Sequence, residues 1–451
     1  MIGGDRIHIF QMFYLLLLLF IPIHSINNIP NINNLNNLLF TINIRIHPNN
    51  LIPHQVKYYT NDTPTTSATR FCQQVTQLPP TPYCLNVVVN AIKKRIAWST
   101  SYQQVAHNIS LLQSIDFNRP PPRFNVNNST TLQQGVRYLE QHGYVVFSNV
   151  ANSKQVQQSK ALFWKFMQRF NAFKDQPLTW DNIPSNDYGI ILQFGIGQSD
   201  FMWYVRTLPN VLKTFASVWD TKDLIVDFGG AVVLRPITNC TAKKWRTMES
   251  WYHVDQNAES KPGLQTIQGS LILSNQTKAN GGLVVIPSSW KDHDGLSRRA
   301  NRHWNVNDYN NHFLLVPQKD PIFDQEKPLF VAAEPGDLVL WDSRTVHCNT
   351  IGEKVSALKN LENVENVENV EIDIELDEAS ETCDVPDELQ RLVALVSMAP
   401  RAFASDEVLK ERRKGVYHDQ TTTHWPHLFA ADDPAVYRDR ELSELQRRLI
   451  G

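Results

Sequence analysis

Trp251-Tyr252-His253-Val254-Asp255 places a histidine and an aspartate two positions apart. In an extended strand, residues i and i+2 lie on one face, so the imidazole and the carboxylate would point at a common centre. A histidine nitrogen and one carboxylate oxygen are two members of the facial triad that binds Fe(II) and leaves other coordination positions open to substrate-side ligands and O2. A third ligand is required, and His347 is the candidate. It closes Glu334-Pro-Gly-Asp-Leu-Val-Leu-Trp-Asp-Ser-Arg-Thr-Val-His347, in which a Pro-Gly turn feeds the apolar run Leu338 to Trp341. A bare His-x-Asp is also what a solvated surface strand carries, so the surroundings decide. His293, His303 and His312 compete for the metal, but they sit in polar, loop-like sequence and read as solvated loop histidines.

The elements that must position these residues follow in a definite order. A strand-like run at Gly269 to Leu273 leads to a turn at Ala279-Asn-Gly-Gly282, a strand from Leu283 to Ile286, and then Pro287-Ser-Ser-Trp290-Lys-Asp-His293. With the Pro-Gly-Asp turn and the distal histidine, this order resembles the phytanoyl-CoA dioxygenase family of Fe(II)/2-oxoglutarate oxygenases, over about Thr131 to Phe429. The resemblance implies a mainly β fold with flanking helices (α+β), a double-stranded β-helix of the jelly-roll, cupin-like kind. It implies that His253, Asp255 and His347 hold Fe(II), that 2-oxoglutarate is the cosubstrate of O2, and that ascorbate serves for reactivation. The expected reaction is hydroxylation of a C–H bond in a small-molecule or lipid-like substrate, with release of succinate and CO2. A carboxylate at position 255 fills the place that halogenating relatives leave to halide, which favours hydroxylation.

In related oxygenases an arginine at the start of the strand after the distal histidine pairs with the far carboxylate of 2-oxoglutarate, a task suited to a planar guanidinium. Arg391, at the entrance of Arg391-Leu-Val-Ala-Leu-Val-Ser-Met-Ala-Pro-Arg401, fits that place once an acidic insert is discounted. Arg401 and Arg344 are the alternatives, because the insert removes spacing as a guide. Trp203, Tyr204, Arg206 and Arg235 are candidates for substrate-side or cosubstrate-side groups, against a competing reading as surface aromatics and paired arginines. Two other classes of function stay open: a catalytically silent jelly-roll scaffold, and a zinc hydrolase using the same three ligands.

Length and charge narrow the field. The 451 residues are enough for two or three average domains, yet a double-stranded barrel with decorating helices takes 250 or more as one unit. With 43 Lys plus Arg against 45 Asp plus Glu, there is no long-range basic field and no nucleic-acid partner is expected. The cysteines at 72, 84, 240, 348 and 383 form no CxxC pair; Cys72 and Cys84 would pair only in a secreted chain, and free thiols are the default.

Along the chain, residues 1–25 read as a signal peptide or signal anchor: Ile7 to Ile23 is almost uninterrupted apolar sequence, short for a spanning helix. The secretory pathway or a membrane anchor follows if that segment acts as one, and the cytoplasm otherwise. Sequons at Asn61, Asn108, Asn127, Asn128, Asn239 and Asn275 would be acceptors on the secretory route. Residues 26–110 are an Asn/Pro-rich low-complexity region, with 26–52 expected to be a linker. The dioxygenase domain is placed at 111–430. It opens as a helix through Leu132, Val136 and Leu139, a glycine stop at Gly143, and the strand Tyr144 to Phe147, followed by an amphipathic helix over Val156 to Phe173. Gly195-x-Gly197 is too sparse for a phosphate loop and reads as a turn near the barrel mouth. Residues 353–387 carry like charge in blocks and are expected to form a solvated surface loop. Ser405 to Gly415 reads as a capped helix, Thr421 to Pro426 as a packing segment, and 431–451 as a helical tail.

Overall fold

The computed structural model describes residues 38–44, 54–59, 63, 67–71, 115–236, 251–304, 313–352, 387–431 and 437–451. The apolar segment at 1–25, the Cys72–Cys84 pair, His312 and the insert at 353–386 lie outside the described residues. No helix among the described residues is long and apolar enough to cross a membrane. The chain divides into two units, 1–107 and 108–451.

The first unit holds an antiparallel pair, β1 (Leu38–Ile44) and β2 (His54–Tyr59), with Ile44 opposite His54. The linker expected over 26–52 is therefore interrupted by a strand. Phe40-Thr-Ile-Asn-Ile44 alternates apolar and polar residues with the period of a strand, a short signal inside the asparagine-rich run.

The second unit is built on two sheets. Its first elements are β3 (Arg123–Asn125), α1 (Ser129–His142), β4 (Tyr144–Ser148) and α2 (Ser153–Met167). Asn128 caps α1 by accepting from the Thr130 and Thr131 amides, and Gly143 ends it at φ 78°. That left-handed conformation suits glycine and turns the chain straight into β4. α2 stops at Met167, short of the expected Phe173, because a 3-10 turn and Asn171 at φ 58° break the helix. Next come β5 (Ile190–Ile191), α3 (Asp200–Arg206), α4 (Pro209–Val218), β6 (Leu224–Val226) and β7 (Ala231–Leu234). The central strands are β8 (His253–Val254), β9 (Ile267–Ile272) and β10 (Gly282–Val285). α5 (His293–Trp304), β11 (Leu314–Leu315), α6 (Ile322–Gln325), β12 (Leu329–Phe330), β13 (Leu338–Asp342) and β14 (His347–Thr350) follow. The chain resumes at β15 (Arg391–Leu395), β16 (Met398–Pro400), α7 (Asp406–Tyr417) and α8 (Glu444–Ile450).

The larger sheet runs β3-β4-β13-β9-β15-β7-β5, with β16 joining β6 and β9; the smaller runs β11-β8-β14-β10-β12. Alternation along the strands sorts side chains into layers. In β13, Val339 and Trp341 face the smaller sheet, while Leu338 and Leu340 pack against the helices. In β10, Leu283 and Val285 face the larger sheet, and Val284 packs outward with Leu296 and Ala300 of α5. Val232, Leu234, Ile272 and Val393 meet Leu283, Val285, Leu329 and Val331 in the interior between the sheets. The outer face of the larger sheet is covered by Leu132, Val136, Phe163, Phe201 and Phe215 from the first four helices. Each such side chain is worth about 1.5–3 kcal/mol once fully buried. This is the expected mainly β, double-stranded β-helix arrangement with flanking helices. The 431–451 tail is no appendage, since Leu449 and Ile450 of α8 are buried in the same core as the sheet.

Candidate metal centre

His253 lies on β8 and His347 opens β14, and the two are direct antiparallel partners. Both point inward because their neighbours Val254 and Cys348 face the outer layer with α5. Asp255 follows β8, its amide donating to Ser343 O at 3.2 Å. Candidate ligand atoms of His253, Asp255 and His347 lie within 4.8 Å of one another. His253 Nε2 is 3.4 Å from Asp255 Oδ1, and His347 Nε2 is 3.2 Å from Asp255 Oδ2.

Both imidazoles are oriented in the same way. His253 Nδ1 lies 2.9 Å from Trp251 O, and His347 Nδ1 lies 2.9 Å from Thr345 O. A carbonyl only accepts, so each Nδ1 carries the hydrogen and each Nε2 presents its lone pair to the shared centre. Trp251 stacks on His253 at 3.9 Å and 7°, fixing the ring plane. Burial and the neighbouring His347 lower the His253 pKa. For Asp255, burial would raise the pKa, but His253, His424 and His347 outweigh it and hold the carboxyl well below the usual carboxylate range. A charged carboxylate beside two nitrogen lone pairs turned to the same centre is the donor set that a divalent, borderline-soft cation takes.

Arg391 begins β15 on the opposite sheet and shares its inward face with Val393. Its guanidinium reaches across the interior to Asn349 Oδ1 at 2.8 Å, two residues beyond His347 on the inward face of β14. The side chain is buried, and Nε has no hydrogen-bond partner. Burial alone pushes its pKa down to about 10. A buried cation with one neutral partner and a free donor is costly by itself and is completed by an anion. The two alternatives are placed differently. Arg344 is paired with both oxygens of Asp342 and lies over the Trp290 ring at 4.9 Å. Arg401 sits on the turn after β16, its amide donating to Asp223 O.

Trp203, Tyr204, Arg206 and Arg235 are not brought to this centre. Trp203 and Tyr204 lie on α3 and pack in the helical layer outside the larger sheet. Trp203 Nε1 donates to Gln198 Oε1, and Arg206 is fully buried, donating to the carbonyls of Gly197 and Gly229. Arg235 donates to Trp180 O and Ser185 Oγ. The aromatic and cationic groups that looked available to a substrate hold loops against the sheet. The Gly195-x-Gly197 turn is one of them: Gly195 adopts φ 73°, and a Cβ on Gly197 would collide with the Phe228 carbonyl. His293 is no solvated loop residue either. It is buried at the start of α5 with Nε2 2.6 Å from Gln256 O, while His303 is exposed on the same helix.

Several residues at the centre carried no sequence signal of a role. Gln268 on β9 donates through Nε2 to Asp255 Oδ2 at 2.6 Å. Asn349 holds Arg391. His424, in the segment expected only to pack, is near enough for its charge to act on Asp255. Of these three, Asn349 was within reach of strand periodicity, two residues past His347 on the same face.

The phytanoyl-CoA dioxygenase (PhyH) family model matches residues 139–348, from inside α1 to one residue past His347. Over that stretch the chain is similar to the phytanoyl-CoA dioxygenase family. The dioxygenase match contains His253, Asp255 and His347 but stops before Arg391, on the far side of the insert. Ava biosynthesis cluster protein O of Aspergillus versicolor is 25% identical over 301 residues, covering 64% of this chain and 84% of that protein. Among solved structures, EvdMO1 is similar at TM-score 0.36 and 15% identity, covering 60% of this chain and only 50% of that one. The epimerase SnoN, solved with Fe3+, alpha ketoglutarate and nogalamycin RO, is similar at TM-score 0.38 and 13% identity, covering 60% of this chain and 84% of that one.

Proposed function

We propose that the 108–451 unit is an Fe(II)/2-oxoglutarate-dependent hydroxylase acting on a C–H bond of a small-molecule or lipid-like substrate. The observation that carries the reading is the pairing of two features inside one barrel: three convergent ligand candidates on the smaller sheet, and a buried, under-partnered arginine facing them from the larger. His253, Asp255 and His347 would hold the iron, and Arg391 the far carboxylate of 2-oxoglutarate. Iron with 2-oxoglutarate and O2 supplies the oxidising chemistry, releasing succinate and CO2. The chain's own residues do the rest. The Trp251 and Thr345 carbonyls keep each Nε2 aimed at the shared centre where the metal would be held, and Trp251 fixes the His253 ring. The apolar lining from Val232, Leu283, Val285 and Val393 excludes water and strengthens the Arg391–carboxylate pair. The likeness to a biosynthesis cluster protein supports a small-molecule substrate.

The deciding experiment is substrate-independent conversion of 2-oxoglutarate to succinate by the 108–451 unit with Fe(II), O2 and ascorbate. Succinate above the metal-free control is expected. A protein that binds Fe(II) and 2-oxoglutarate without turnover would be a silent scaffold, and one active with zinc alone would be a hydrolase.

A further inference from the structure

We propose that Gln268 is a positioning residue that holds Asp255 to ligation through one oxygen, so that the metal keeps the positions a chelating cosubstrate and O2 require; the inference rests on the iron reading above. Gln268 comes from the opposite sheet to the ligand candidates. On β9 it shares its face with Ile272, which belongs to the interior cluster, while Ile267 and Leu271 face the helices. It pairs with Trp341 of β13 and is 6% exposed. From there Nε2 reaches Asp255 Oδ2 at 2.6 Å, closer than either histidine approaches the same carboxylate, at 3.2 and 3.4 Å.

The main chain at Asp255 is already fixed by other means. Its amide donates to Ser343 O, and Ser343 Oγ donates to Gln256 Oε1 at 2.6 Å. Gln256 Nε2 in turn donates to the Lys261 and Gly263 carbonyls, and Gln256 O accepts from His293. What these bonds leave free is rotation of the Asp255 carboxyl group about its own bond. Gln268 is the side-chain donor that stops this rotation: it occupies Oδ2, which also faces His347 Nε2 at 3.2 Å, and leaves Oδ1, 3.4 Å from His253 Nε2, without an amide donor and open to a metal. An amide suits the task because it donates without bringing a cation that would compete for the carboxylate charge. Without it, both oxygens are available, and a chelating Asp255 would close a coordination position.

The test uses the full chain, with Gln268→Leu, Gln268→Asn and Gln268→Glu, and reads metal binding with Co(II) and Fe(II), the visible ligand-field spectrum of the Co(II) form, and 2-oxoglutarate binding to the Fe(II) form. Losing the partner of a metal ligand typically costs roughly 10–100-fold in metal affinity or activity; here the loss is expected to fall on the cosubstrate step, because all three metal donors remain. In Gln268→Leu this should appear as weaker 2-oxoglutarate binding together with a changed Co(II) spectrum, while metal affinity moves by less than a few fold. Loss of packing alone would lower thermal stability without altering the spectrum of the metal-loaded protein, and that result overturns the proposal. Should the leucine variant not fold, the asparagine variant decides, since an amide one methylene short cannot reach Oδ2: the same spectral change supports the role, and a wild-type spectrum overturns it. Gln268→Glu turns the donor into an acceptor and is expected to follow leucine. If the wild-type protein binds neither metal, the iron reading falls and takes the inference with it; if wild type binds metal and 2-oxoglutarate and the variants match it, only the Gln268 role is overturned.

Discussion

At the scale of single residues, the centre depends on a few groups whose loss is not interchangeable. His253→Ala, Asp255→Ala and His347→Ala each remove one of three donors, so each should abolish both Fe(II) binding and succinate formation in equilibrium and turnover assays. His293→Ala is the contrast: its Nε2 already donates to the Gln256 carbonyl, and iron affinity should change by less than a few fold. In the proposed function Arg391 would act on the cosubstrate and not on the metal. Charge-assisted hydrogen bonds are worth about 1.5–3 kcal/mol each, so Arg391→Ala should raise the 2-oxoglutarate requirement by about two orders of magnitude with Fe(II) affinity nearly unchanged. Lysine at that position should rescue only partly. Arg344→Ala should move the requirement little, because that guanidinium is held by Asp342. A large effect at Arg344 and a small one at Arg391 would transfer the clamp to Arg344.

At the scale of elements, the C-terminal helices are pinned to the larger sheet by one buried cation. Arg412 of α7 is fully buried and donates to the carbonyls of Val226, Pro426, Leu449 and Ile450, with its guanidinium 4.6 Å from the Phe228 ring centre. Replacing it with methionine leaves those carbonyls buried without a donor, and a loss of at least about 3 kcal/mol is expected by denaturant unfolding. Amide exchange in α8 should accelerate more than in β13. The neighbouring segment carries a pH dependence. Burial first, then Lys261, His424 and Arg412, push His427 down to about 4, and its Nδ1 is buried without a partner. Below the ordinary histidine range the unfolded chain takes up a proton that the fold rejects. The contribution is therefore full above about pH 6.5 and is lost as pH falls toward 4. His427→Phe should flatten the fall in melting temperature between pH 7 and 5; an unchanged slope would show that His427 is not its source.

At the scale of the whole molecule, the acidic insert leaves and re-enters the second unit at nearly one place. Gln390 Nε2 donates to Ile351 O at 2.6 Å and to Asn280 O at 3.1 Å, tying the chain just after β14 to the chain just before β15. Replacing residues 354–386 with a short Gly/Ser link should thus leave melting temperature within a few degrees of the full chain, with Fe(II) affinity unchanged. A collapse of either would mean that the insert packs on the barrel.

What the sequence determined by itself was local and chemical. The i, i+2 spacing put His253 and Asp255 on one strand face, the Pro-Gly turn before β13 led to His347, and Gly143 marked where α1 gives way to β4. The strand alternation at Phe40 to Ile44 was missed, because asparagine-rich surroundings hid it. Sequence could not sort the cationic and aromatic residues between site and scaffold, because that depends on which layer a helix or strand face meets. Arg206 and Arg391 are both buried arginines: one holds backbone carbonyls outside the larger sheet, the other reaches the interior beside the ligand candidates. Register decided the remainder. Gln268 meets Asp255 only because two sheets face each other, and His347 meets His253 only because β14 pairs with β8 at that one position. Pairing across nearly a hundred residues of chain is set by the burial of whole faces, which no single spacing records.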